Sequence, residues 1–136
     1  MVFRFASLGS GSRGNATLVE AGATSVLIDC GFAARDFAGR CEALGFDPQR
    51  LSAILVTHEH GDHMRGVGPV ARRFGIPVWM THGTRRSANF GSIANLTLFA
   101  GHAGAFRIGD LLVMPVPVPH DAREPTQFVF GHGGAR

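Results

Sequence analysis

The run Thr57-His58-Glu59-His60-Gly61-Asp62-His63 decides how this chain is read. It sets three imidazoles and the Asp62 carboxylate within six residues, directly after the apolar stretch 53–56. Extended backbone points alternate side chains the same way, so His58 and His60 offer two rings to one ion. Gly61 permits a sharp turn, after which Asp62 and His63 open a helix and face a neighbouring position suited to a second ion. Imidazole combined with a hard carboxylate suits Zn²⁺ first, with Mn²⁺ or Fe²⁺ as alternatives. A zinc finger is excluded, because Cys30 and Cys41, the two cysteines, form no C-x-x-C pair. The helical H-E-x-x-H pattern is also absent, since Glu59 stands between the histidines.

Outward from that run, periodicity outlines a layered α/β domain. Residues 2–8, 16–20 and 24–28 read as an antiparallel meander, with Ala21-Gly22-Ala23 as the second turn. Ala34, Phe37, Cys41 and Leu44 recur at helical spacing and Gly45 supplies the stop. A strand at 53–56 leads into the His-rich turn, and Val67, Val70, Ala71 and Phe74 trace a second helix ended by Gly75 and Pro77. Strands follow at 77–80, 96–99, 105–108, 111–118 and 127–130, with one helical turn at 84–89. Pro115, Pro117 and Pro119 fall on alternate positions and remove donors from one side, which predicts an edge strand or a partly unpaired one.

Gly9-Ser10-Gly11-Ser12-Arg13-Gly14 matches G-x-G-x-x-G after a strand, yet a dinucleotide site needs a helix to follow it. Asn15 onward reads as strand instead. The expected structure is a glycine-rich hairpin loop that can line a site, its backbone N–H groups and Arg13 able to approach a phosphate or another anion.

The chain has 136 residues, 45% of them hydrophobic, which suffices for a core and excludes overall disorder. Its formal net charge is +3 and every basic residue is a scattered Arg, so charge alone makes no case for nucleic acid. No segment approaches the roughly 20 apolar residues of a membrane span, and the start carries no secretory pattern. The expected compartment is the cytoplasm, with Cys30 and Cys41 as buried free thiols.

His58-x-His60-x-Asp62-His63 resembles the H-x-H-x-D-H signature of the metallo-β-lactamase fold superfamily, a four-layer αββα sandwich of mostly hydrolytic enzymes. Leu27-Ile28-Asp29-Cys30-Gly31 resembles that family's early strand ending in Asp, and Val116-Pro117-Val118-Pro119-His120-Asp121 its strand delivering a third histidine. The stretch from Ser7 to Asn15, the run from Thr57 to His63, and His120-Asp121-Ala122-Arg123-Glu124-Pro125 together are similar to the YycJ/WalJ-like branch, cytoplasmic bacterial DNA exonucleases. The resemblance implies an α/β fold that is largely the N-terminal half of the sandwich, a mixed or antiparallel sheet with flanking helices.

It also implies roles. His58, His60 and His120 would hold a first ion, and Asp62 and His63 a second. Asp62 and His120 would stand at the reacting centre. Asp29 would orient the ligands through hydrogen bonds, as would Asp121 unless it is a plain turn residue. From loop placement alone, and not from the resemblance, Arg13 and Asn15 would contact substrate, and Arg85 and Arg86 either contact phosphate or form a solvated face. His82, His102 and His132 match no ligand position, although His82 could lie near the cleft. The implied activity is hydrolysis of phosphodiesters, with DNA as substrate, by a metal-activated water. Hydrolysis of a thioester or lactone is the alternative, or a catalytically silent metal-binding module.

The family's bridging Asp and its late second-metal histidine belong to the second half of its fold. Beyond His120 the chain holds only Asp121, Glu124 and His132 as candidates. The expectation is therefore a single domain over 1–136, cut short at its C-terminal side of a fold that runs to roughly 200–250 residues. It would hold one ion more firmly than two. An uncovered apolar sheet face would follow, and with it association into a homo-oligomer.

Overall fold

The computed structural model describes residues 3–100, 104–117 and 126–131. β1 (Phe3–Gly9), β2 (Ala16–Ala21) and β3 (Thr24–Ile28) form the antiparallel meander. The direction then changes. α1 (Ala34–Leu44) carries the chain across the sheet so that β4 (Ala53–Leu55) joins β3 in parallel. α2 (Gly61–Met64) and α3 (Val67–Phe74) lead to β5 (Val78–Thr81), and α4 (His82–Ser87) to β6 (Leu96–Phe99), both again parallel. The result is a six-stranded mixed sheet in the order β1-β2-β3-β4-β5-β6.

A second, antiparallel sheet consists of β7 (Phe106–Ile108), β8 (Leu111–Pro117) and β9 (Thr126–Gly131). Its β7–β8 turn docks on the first sheet, where the Asp110 N–H donates to Thr24 Oγ1 at 2.7 Å.

Alternation along the strands divides the apolar residues between two cores. Leu18, Leu27, Ile54 and Met80 face the helices and meet Phe37, Cys41, Val67 and Val70. Val19, Val26, Ala53 and Leu55 point the other way, against Ile108, Leu111, Val113 and Phe130 of the second sheet. Helices, six-stranded sheet and three-stranded sheet thus form successive layers, the expected α/β architecture as far as the described residues extend.

Of the two alternatives for the proline strand, the structure shows the partly unpaired one and not the edge. β8 is the central strand of its sheet, yet β7 pairs only with Leu111 to Val113. Pro115 and Pro117 lie beyond it and pair only with β9, opposite Phe128 and Thr126. The strand is therefore no edge, and its missing donors fall where β7 does not reach. Pro119 lies outside the described residues. The helical turn expected at 84–89 runs from His82 to Ser87 instead, because the Thr81 hydroxyl caps it by accepting from the Thr84 N–H.

Candidate metal centre

Parallel pairing of β3, β4 and β5 brings their carboxyl ends to one edge of the sheet, where open α/β sheets bind ligands. Asp29 follows β3 there, the His-rich run follows β4, and His82 follows β5 as the exposed first residue of α4. Asp29 adopts a left-handed backbone with φ 63, and its N–H donates to the Leu55 carbonyl at 2.8 Å. This bend turns its buried carboxylate beneath the run.

That carboxylate accepts three hydrogen bonds. The Thr57 N–H donates to Oδ1 at 2.7 Å, and the Thr57 hydroxyl and the Nδ1 of His63 lie 2.6 and 2.7 Å from Oδ2. A carboxylate has no proton to give, so Thr57 must spend its hydroxyl hydrogen on Asp29. Its oxygen is then an acceptor for Nδ1 of His58, 2.8 Å away. In their neutral form both His58 and His63 are thereby held as the tautomer with hydrogen on Nδ1 and Nε2 unprotonated, the form a metal requires. The Asp29 hydrogen bond raises the pKa of His63 above its ordinary value, burial lowers it in part, and the charges of Asp29 and Asp62 raise it further.

The rings converge. His58 and His63 have centroids 4.2 Å apart and His58 and His60 4.6 Å. Asp29, His58 and His63 each offer a ligand atom within 4.8 Å of the others. With both Asp29 oxygens occupied, Asp29 serves to orient the histidines. Asp62 completes the mouth, its Oδ2 lying 3.7 Å from His63 Nε2. Clustered imidazoles with prepared Nε2 atoms beside a carboxylate fit a divalent ion of the Zn²⁺ kind.

Three loops are stitched together around this cluster. The Asn15 N–H donates to the Asp62 carbonyl at 2.7 Å, Gly31 N–H to that of Asn15 at 3.0 Å, and Cys30 N–H to that of His63 at 2.8 Å. A Cβ on Gly31 would overlap the Asp62 carbonyl oxygen, and one on Gly66 that of Phe32. The glycine-rich loop is explained without a phosphate. Gly9 and Gly14 lie against the Phe32 ring, where a Cβ would overlap it, and Gly11 turns the chain at φ 123.

Of the expected residues, Asn15, Asp29, His58, His60, Asp62 and His63 share this edge of the sheet. Arg13 is exposed on the loop before Asn15, while Arg85 is half-buried and Arg86 exposed on α4. His102, His120, Asp121 and His132 lie outside the described residues. Thr57 has a function that the sequence reading did not give it; the one available signal was a hydroxyl residue immediately before the first histidine. Thr126 was also missed. Its N–H donates to the Thr57 carbonyl at 2.9 Å, joining the second sheet to the metal loop. Its hydroxyl is buried and has no partner among the described residues.

A helix–sheet–sheet domain with an H-x-H-x-D-H loop at the carboxyl edge of its parallel strands defines a class of metal-binding proteins. Residues 9–133 match the model of the Metallo-beta-lactamase superfamily, and the chain belongs to that family. It is 30% identical over 133 residues to the exodeoxyribonuclease WalJ of Streptococcus pneumoniae serotype 2, covering 94% of this chain and 49% of that protein. To the exodeoxyribonuclease YycJ of Bacillus anthracis it is 32% identical over 133 residues, covering 96% and 50%. A ribonuclease Z of Mycobacterium bovis is 34% identical over 122 residues, covering 83% and 41%. The chain therefore spans half or less of the length of these relatives. Among solved structures, the Rm3 metallo-beta-lactamase has a TM-score of 0.76 at 20% identity, covering 93% of this chain and 53% of that one. MEM-A1, a subclass B3 metallo-beta-lactamase from a soil metagenome library, has a TM-score of 0.75 at 22% identity, covering 96% and 56%. These two likenesses concern the fold.

Proposed function

We propose that this chain carries the metal-holding portion of a hydrolase that cleaves phosphodiesters in DNA. The observation that carries the reading is the Asp29–Thr57 network, which engages Nδ1 of both His58 and His63, whose ring centroids lie 4.2 Å apart, and so favours Nε2 of each as the metal-binding atom. His58, His60 and His120 would hold one ion, and Asp62 and His63 a second. Zn²⁺, or Mn²⁺ or Fe²⁺ in its place, would supply a water acidic enough to attack near neutral pH and would neutralise charge on phosphoryl oxygens. In this reading Asp62 and His120 would act at the reacting centre, and Asp121 would support His120. Arg13 steers the phosphate backbone from the exposed loop. The similarity to two exodeoxyribonucleases favours DNA, and the cytoplasm is the compartment that fits such a substrate.

The test is cleavage of single-stranded DNA with added Mn²⁺ or Zn²⁺ by the chain and by its His58→Ala/His60→Ala variant. We expect cleavage only by the former. Equal cleavage by both overturns the site, and retained metal without cleavage identifies a silent metal-binding module.

A further inference from the structure

We propose that Asn15 is a positioning residue of the metal centre: it holds the Asp62 carboxylate in place and clamps the 9–14 loop beside it. This rests on the reading of Asp62 as a metal ligand. Asn15 stands immediately before β2, and its side-chain amide serves two segments far apart in sequence. Its Oδ1 accepts from the Gly11 N–H at 3.0 Å. Its Nδ2 lies 2.8 Å from the Gly11 carbonyl, 3.1 Å from the Asp62 carbonyl and 3.2 Å from Asp62 Oδ2.

The orientation of this amide is determined by its partners. The Gly11 N–H needs an acceptor and the Asp62 oxygens need donors, so the carbonyl end must face Gly11 and the NH₂ end Asp62. One amide hydrogen goes to the Gly11 carbonyl, and the other is shared between the two Asp62 oxygens. The main chain of Asn15 is fixed as well, donating to Asp62 and accepting from Gly31. Both hydrogens are committed within the protein, so Asn15 acts on substrate indirectly, through Asp62 and the loop that bears Arg13.

A neutral donor suits this task. Arg or Lys at this place would neutralise Asp62 and compete with a cation, whereas an amide orients the carboxylate and leaves lone pairs and charge available. The same side chain ties the 9–14 loop to Asp62, so a shift of one moves the other.

The experiment is calorimetric titration of the full chain with Zn²⁺ alone, comparing wild type, Asp62→Ala, Asn15→Ala and the double variant. The step that Asp62→Ala weakens should be weakened about 10- to 100-fold by Asn15→Ala, and the double variant should bind no more weakly than Asp62→Ala. Asn15→Ser, whose hydroxyl is too short to reach Asp62, should give the same pattern and serves if Asn15→Ala does not fold. Wild-type affinity in the position 15 variants beside a weakened Asp62→Ala overturns the role of Asn15 and leaves Asp62 as a ligand. A loss that persists in the Asp62→Ala background overturns it too, because Asn15 would then act as a loop tether alone. Unchanged binding by Asp62→Ala overturns the ligand reading and this inference together.

Discussion

A left-handed backbone costs a non-glycine residue on the order of 1 kcal/mol, and Asp29 adopts one at φ 63. Its three hydrogen bonds outweigh that cost and tie β3 to the metal loop. Asp29→Ala leaves the Thr57 N–H and hydroxyl without their acceptor, and we expect a loss of about 3 kcal/mol in urea unfolding. His63 adds a pH dependence. Its folded pKa is raised above 6.5, so its contribution to the metal-free protein is complete below pH 6.5 and is lost as pH rises through the elevated value. The thermal midpoint in EDTA should therefore fall on going from mildly acid to mildly alkaline buffer, and His63→Gln should flatten that slope. The cluster His58, His60, Asp62 and His63 could be read from spacing along a few residues. Thr57 could not, because its role depends on where Asp29, 28 positions earlier, comes to lie.

At the scale of elements, glycines set how closely the loops approach. Gly31 touches both the Asp62 carbonyl and the Asn15 N–H, and a methyl there has no room. Gly31→Ala should cost about 1–3 kcal/mol by overpacking and should lower Zn²⁺ retention on dialysis, whereas Gly39→Ala inside α1, where the space is open, should raise stability by about 0.5–1 kcal/mol and leave retention unchanged. Strand and helix placement was readable because alternation and 3.6-residue periodicity are local properties. The position of β8 within its sheet was not, since prolines report a missing donor without naming the strand that lacks it. The G-x-G-x-x-G match misleads for a related reason: Gly9 and Gly14 answer to Phe32, a ring outside their own segment.

For the molecule as a whole, the two cores were implicit in strands whose successive residues are both apolar, such as Leu18-Val19 and Val26-Leu27, because both faces must then be covered. What lies outside the second sheet was not. Leu112, Met114, Val116 and Val129 point away from its core, with Val116 37% and Val129 43% exposed. We expect the chain to bind an apolar dye and to associate with rising concentration in sedimentation velocity, and Val116→Lys/Val129→Lys to reduce both effects. A wild-type monomer without dye binding would refute this. Among the described residues no helix is long and apolar enough to cross a membrane.

The stitching of three loops also has a consequence for timing. The β1–β3 meander closes through short hairpins, whereas Asn15 meets Asp62 across 47 positions and Asp29 meets His63 across 34. Contacts that enclose longer stretches of chain form later, because more chain entropy must be lost before they reward it. Preparation of the histidines therefore depends on the parallel β3–β4 pairing, which joins residues as distant as Val26 and Ala53, and not on the meander alone.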